Sequence, residues 1–120
     1  MSSKKEGALK DKSFDFALRI INLYKYLINE QKEFILSKQL LRSGTSIGAL
    51  VREAEYAQSK ADFLHKLTIS LKEANETEYW LQLLNKSNYI NDKMFNSIHK
   101  DIHELLKLLI ASTKTIKENR

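Results

Sequence analysis

Apolar residues recur at steps of three and four along four segments of the chain, which is the spacing of one helix face. Ser13 and Ser59 are suited to cap the first and third of these segments, because serine side chains accept hydrogen bonds from helix N-termini. The pattern predicts helices over residues 13–29, 34–58, 60–86 and 92–116.

The links between the predicted helices are short, which favours antiparallel packing of consecutive helices. The first twelve residues are polar and basic and have no periodicity. The expected architecture is therefore all-α, an antiparallel up-down-up-down four-helix bundle over residues 13–117, preceded by a disordered basic tail over residues 1–12.

The second predicted helix has an unusual density of small residues between Ser37 and Ala49. Its apolar positions stay in phase on both sides of Gly44 and Gly48, which favours one continuous helix over two short helices joined by a loop. Glycine costs about 1 kcal/mol relative to alanine in a helix interior, so two glycines four residues apart indicate a packing role. We expect these glycines to let a second backbone approach closely.

The third predicted helix is apolar on two sides, and such a helix is generally covered on both. In a bundle of this size the second cover is expected to be another copy of the chain. The main face consists of Phe63, Leu64, Leu67, Leu71, Ala74 and Leu81. The second face, the predicted oligomer interface, consists of Ile69, Trp80 and Leu83.

Glu78 falls on the main apolar face of the third helix. A buried charge without a partner is strongly unfavourable, so this carboxylate needs a hydrogen bond or an ion pair. Ser43, Ser46 and Arg19 are the predicted partners. This structural role is favoured over catalysis, because acid–base chemistry needs two carboxylates in a cleft and a tight bundle offers little cleft.

The composition supports an all-α protein and excludes several kinds of chemistry. The 120 residues include three glycines, no proline and no cysteine, so disulfides, thiolate nucleophiles and cysteine-type zinc sites are excluded. No apolar run approaches the length of a membrane span and no signal-peptide pattern opens the chain. We therefore expect a cytoplasmic protein with no membrane partner.

His99 and His103 are four residues apart, a spacing that can hold a metal ion on one helix face. No third ligand is evident, and histidine is also an ordinary residue at the edge of an apolar seam. The chain contains no Glu-x-x-His pair of the di-iron bundles, no phosphate-binding glycine loop and no nucleophile elbow. We expect no metal, no cofactor and no enzymatic activity.

Basic stripes are the remaining functional signal in a chain of net charge +5. They are suited to a phosphate backbone, although lysines at heptad spacing are also typical of the solvated face of a bundle helix. The stripe on the second helix, which includes an aromatic ring for stacking, consists of Lys38, Arg42, Thr45, Ala49, Arg52 and Tyr56. The stripe on the fourth helix consists of Lys93, Lys100, Lys107 and Lys114.

The run from Leu36 to Leu84 resembles the bacterial four-helix-bundle proteins encoded in intervening sequences of 23S ribosomal RNA genes. Its most distinctive blocks are LRSGTSIGA and KEANETEYWL. The family is largely uncharacterised and is similar to the accessory variability determinant of diversity-generating retroelements, a basic pentamer of four-helix bundles that binds a reverse transcriptase and nucleic acid. The resemblance implies a homo-oligomer, with a pentamer as the expected state, and a polyanion-binding surface.

Two functions follow as expectations. The first is non-enzymatic binding of RNA or DNA through the basic stripes. The second is a protein-interaction module that binds another protein through the third helix and whose lysines only keep it in solution. The dependence of binding on salt would distinguish them, because contacts with phosphates weaken steeply as salt rises and apolar contacts do not.

Overall fold

The structure is a computed structural model that describes residues 4–118, with side chains described from residue 7. Consecutive helices pack against each other, and the first also packs against the fourth, which makes an elongated bundle of 46 × 21 × 19 Å. The all-α four-helix bundle is confirmed, and no strand occurs within residues 4–118. The helices are α1 (Lys4–Asn29), α2 (Leu36–Glu55), α3 (Lys60–Lys86) and α4 (Asp92–Glu118).

Helix α1 begins at Lys4, so the predicted helix start at Ser13 is wrong. Ser13 is buried within the helix, and its hydroxyl donates to the carbonyl of Lys10 instead of capping an N-terminus. Leu9 lies in the core and is 1% exposed, which ties the first turns of α1 to the bundle. The predicted tail is therefore helical from residue 4, and residues 1–3 lie outside the described residues.

Helix α2 is continuous through both glycines, as predicted. A Cβ atom added at Gly44 would lie 2.8 Å from Cγ1 of Ile20, and one added at Gly48 would lie 3.2 Å from the carbonyl oxygen of Ser13. Both contacts are with α1. The glycines therefore allow α1 and α2 to approach more closely than two side-chain-bearing surfaces could.

Helix α2 begins at Leu36, two residues later than predicted, because Glu33 organises the link before it. The Glu33 carboxylate is buried and accepts hydrogen bonds from the backbone N–H groups of Ile35, Leu36 and Ser37, at 3.2, 3.0 and 2.7 Å. These N–H groups lack partners inside the helix, and a negative charge at this end is favoured by the helix dipole.

Helix α3 has the predicted bounds, and Ser59 caps it by accepting a hydrogen bond from the N–H of Asp62 at 3.0 Å. Its buried face is rotated from the predicted one, because Ser70 and Thr77 are fully buried whereas Leu71 and Glu78 lie at its edges. The hydroxyl of Ser70 donates to the carbonyl of Ile47 at 2.9 Å, and that of Thr77 donates to the carbonyl of Glu73 at 2.7 Å. Buried hydroxyls are compatible with a protein core when they are hydrogen-bonded. A pattern of apolar residues alone therefore does not identify such positions as buried.

Helix α4 buries one face, as the spacing of its apolar residues at steps of three and four predicts. Asn91 caps its N-terminus by accepting a hydrogen bond from the N–H of Met94 at 2.8 Å. The buried residues of α4 are Ile98, Ile102, Leu105, Leu106, Leu109, Ser112 and Thr113.

No helix within the described part of the chain is long and apolar enough to cross a membrane.

Candidate functional site

Four of the five lysines of α4 form an exposed stripe on the side of the helix opposite its buried seam. All four are exposed, and none forms an ion pair with a carboxylate of residues 7–118. At a rise of about 1.5 Å per residue, neighbouring lysines are about 10.5 Å apart and the stripe is about 31 Å long. We call this set the α4 stripe: Lys93, Lys100, Lys107 and Lys114.

The carboxylates nearest the middle of the α4 stripe are paired with cations of α1. Asp101 is 2.6 Å from a guanidinium nitrogen of Arg19, and Glu104 is 2.8 Å from Nζ of Lys12. Hydrogen bonding to Glu104, reinforced by its charge, raises the pKa of Lys12 above the ordinary lysine value. Lys12 and Arg19 of α1 therefore compensate the charges of Glu104 and Asp101. The lysines of the stripe have no acidic partner among residues 7–118.

The predicted stripe on α2 is less available for a ligand, because Arg42 contacts two carboxylates of α3. Its guanidinium donates to Glu73 at 3.2 Å and also to Glu76. Glu76 in turn accepts a hydrogen bond from Nε1 of Trp80 at 3.0 Å. Arg42 therefore connects α2 to α3, a role that the sequence did not reveal because it depends on how the two helices align.

The other members of the α2 stripe lie in different surroundings. Arg52 lies over the ring of Phe14 on α1, with its central guanidinium carbon 5.9 Å from the ring centre. Thr45 and Ala49 line a groove between α1 and α2. Lys38 and Tyr56 are exposed, and Tyr56 lies just beyond the C-terminal end of α2.

The predicted second face of α3 is only partly exposed. Ile69, Trp80 and Leu83 are all half-buried, and Trp80 packs against the core. The neighbouring Tyr79 is 54% exposed, and its ring meets that of Trp80 edge to face with 5.2 Å between the ring centres. Tyr79 is thus a prominent aromatic group of this surface, which the sequence analysis did not identify because it belongs to neither apolar face.

Glu78 has a partner, but not one of those predicted. Its carboxylate is 2.8 Å from Nε2 of His99 on α4, so the proposed pairing with Ser43, Ser46 or Arg19 is wrong. This contact connects α3 to α4 at the edge of the core, where both side chains are half-buried. Glu78 therefore joins α3 to α4 through a partner other than those predicted.

The two histidines of α4 belong to a stack of rings. His99 lies between Phe95 and His103, with ring centres 5.0 and 6.0 Å apart and the rings nearly parallel. Among the described residues, no group of three or more potential ligand side chains is arranged to hold a metal ion.

The comparisons with known proteins point to one family. The family model described as 23S rRNA-intervening sequence protein matches residues 5–111. A solved structure from Bacteroides thetaiotaomicron, described as a protein with unknown function from the S23 ribosomal protein family, is 63% identical and has a TM-score of 0.90. The match covers 92% of this chain and 98% of that one. A comparison with functionally curated proteins finds no match. By the family match and this close structural relative, the chain belongs to the 23S rRNA-intervening sequence protein family.

Proposed function

We propose that this protein is a non-enzymatic nucleic-acid-binding bundle whose α4 stripe contacts the phosphate backbone of RNA or DNA. The observation that carries the proposal is that all four lysines of the stripe are exposed and form no ion pair with a carboxylate of residues 7–118. Lysines that neutralise phosphates release condensed counterions, and this release drives binding without recognising sequence.

The surroundings of the α4 stripe support this role. Asp101 and Glu104 would repel a polyanion, but Arg19 and Lys12 compensate them from α1. Lys38 and Arg52 on α2, with Tyr56 just beyond its end, provide a second, smaller set of exposed contacts. The contribution of α2 to nucleic-acid binding is secondary, because Arg42 is ion-paired with two glutamates of α3.

The experiment that tests the proposal is fluorescence anisotropy with a labelled RNA hairpin, titrated between about 50 and 200 mM salt. Four phosphate contacts to a double helix give a slope of about −3.6 in log affinity against log salt, a loss of about 100-fold over this range. The variant K100Q/K107Q removes two contacts and should reduce the slope by about two.

The matched control is K60Q/K72Q, which removes the same charge from exposed positions of α3 that form no ion pair with residues 7–118. It should bind almost like the parent. Equal weakening by both variants would show that only net charge matters, and an absence of binding at low salt would overturn the proposed function.

The assembly belongs to the same proposal. We propose an up-down-up-down bundle in which helices that pack against each other are antiparallel. The pairing of Lys12 with Glu104 and of Arg19 with Asp101 supports this for α1 and α4, since residue numbers rise along one helix as they fall along the other. We also propose a homo-oligomer, with a pentamer as the expected state. The resemblance to the pentameric retroelement protein supports it, and several α4 stripes in one particle would strengthen binding to a polyanion.

The alternative function is a protein-interaction module that uses the outer surface of α3. The observation that favours it is Tyr79, a largely exposed aromatic side chain packed on the edge of Trp80. Aromatic residues are enriched among the side chains that dominate protein interfaces. Binding to a protein partner that changes little with salt, together with no binding to the RNA hairpin, would favour this function.

A further inference from the structure

We propose that the α4 stripe binds the backbone of a nucleic-acid double helix in preference to a single strand. This inference rests on the proposed function and names its substrate class. It starts from what the stripe lacks. Proteins that hold single strands combine a basic groove with exposed aromatic side chains on which the bases stack.

The exposed residues between the lysines of the stripe include Asn96, His103 and Ile110, none of which is a Phe, Tyr or Trp. The one such ring of α4 is Phe95, which is half-buried and stacked on His99 with 5.0 Å between the ring centres. The stripe therefore offers charge without an exposed Phe, Tyr or Trp ring on which bases can stack.

Exposed tyrosines elsewhere do not complete a single-strand site on α4. Tyr56 follows the C-terminal end of α2, and the helices that pack against α4 are α3 and α1. Tyr79 lies on α3 against Trp80, and its ring belongs to that aromatic pair. A single strand lying along the α4 stripe would therefore lose conformational freedom without gaining base stacking in return.

The geometry of the α4 stripe suits a rigid polyanion. The positions of the stripe turn by only about 20° per heptad, so the lysines stay nearly in line along about 31 Å. Double-stranded DNA has one charge per about 1.7 Å of axis, which places about 18 phosphates along that length. Each neutralised phosphate also releases more counterion from a duplex than from a single strand. The slope of log affinity against log salt changes by about 0.9 per phosphate in a duplex and by about 0.7 in a single strand. Both differences favour the double helix.

The test compares three anisotropy probes on the full-length protein: a DNA duplex, an RNA duplex and an unstructured oligo(U), each longer than the stripe. At low salt we expect both duplexes to bind at least about tenfold more tightly than the single strand. The preference should be lost in K100Q/K107Q and kept in K60Q/K72Q. Similar affinity for the two duplexes would support the inference and indicate that the stripe recognises only the charge of the backbone. Tighter binding of one duplex would also support the inference and would show whether the bound double helix is DNA or RNA.

The outcomes separate this inference from the proposed function. Equal or tighter binding of oligo(U), with a steep salt dependence, would overturn the preference for a double helix and leave nucleic-acid binding standing. Failure of all three probes to bind at low salt would overturn both. Duplex binding that K60Q/K72Q weakens as much as K100Q/K107Q would overturn the assignment to α4.

Discussion

At the scale of single residues, Gly44 and Gly48 determine how closely α1 and α2 approach each other. At both positions an added Cβ atom would lie closer to α1 than an ordinary van der Waals contact, at 2.8 Å for Gly44 and 3.2 Å for Gly48. Sequence reasoning predicted a close neighbour for the two glycines from their four-residue spacing. It could not identify that neighbour, because Ile20 and Ser13 meet the glycines only once the two helices are aligned.

We expect Gly44→Ala to destabilise the fold. Alanine gains about 1 kcal/mol in helix propensity, but overpacking costs about 1–3 kcal/mol where the neighbour cannot move. Ile20 is fully buried and would lie 2.8 Å from the new Cβ, so the overpacking cost should dominate. The expected net loss is about 1 kcal/mol in the free energy of unfolding, measured by urea denaturation at an unchanged m-value.

Gly7→Ala is the matched control, because a Cβ atom added at this helical residue would meet no other part of the bundle within 4 Å. It should leave the unfolding midpoint unchanged or raise it slightly. Equal stabilisation by both substitutions would contradict the close approach of α1 and α2 at Gly44.

Glu33 shows how a single side chain fixes the start of a helix. Glu33→Ala removes the acceptor of three backbone N–H groups of α2, and loss of a helix cap costs about 0.5–2 kcal/mol. We expect a loss near the upper end of that range, because the carboxylate is charged and buried. Urea denaturation measures it.

Glu30→Ala is the control for this substitution, since Glu30 is an exposed glutamate just after the end of α1. It should change stability by less than about 0.5 kcal/mol. A loss as small in Glu33→Ala would mean that the start of α2 does not depend on this carboxylate.

At the scale of helices, the hydrophobic period predicted much of the fold. The period and a serine cap were enough for both ends of α3, and the seam of α4 followed from the same spacing. The start of α1 was missed because one core residue, Leu9, stands in an otherwise polar stretch and creates no visible period. The buried face of α3 was misplaced because Ser70 and Thr77 hydrogen-bond to carbonyls and so count as core.

The candidate site was predictable only where it depends on one helix. The α4 stripe follows from a seven-residue spacing, and the structure leaves its lysines exposed. The pairing of Arg42 with Glu73 and that of Glu78 with His99 each join two helices. Their partners depend on how the helices align along the bundle, which the spacing within one helix does not determine.

At the scale of the whole molecule, we expect the outer surface of α3 to be the place where copies associate. Tyr79→Asp places a charge on a residue that is 54% exposed, so the bundle should remain folded. If the surface is an interface, the buried charge should disrupt it, and sedimentation should show a smaller particle with unchanged helical circular dichroism. Tyr79 is a better site for this test than Trp80, whose ring also packs against the core.

Tyr56→Asp is the control, because Tyr56 is an exposed tyrosine beyond the end of α2. It should leave the mass of the particle unchanged. A parent protein that sediments as a monomer, or a Tyr79→Asp variant with the mass of the parent, would contradict an interface at this surface.

The early start of α1 has a consequence for proteolysis. Leu9 is buried, Lys10 lies 3.4 Å from Glu55 of α2, and Lys12 is bonded to Glu104 of α4. A protease must bind an extended segment, so trypsin can cut after either lysine only when these turns of α1 detach from both neighbouring helices. We expect cleavage there to be slow in buffer and to accelerate in urea in step with unfolding, as mass spectrometry of a timed digest would show. Rapid cleavage that does not depend on urea would contradict the attachment of these turns of α1 to α2 and α4. If the two lysines are protected, the rate of cleavage by trypsin directly measures how tightly α1 holds its neighbours together.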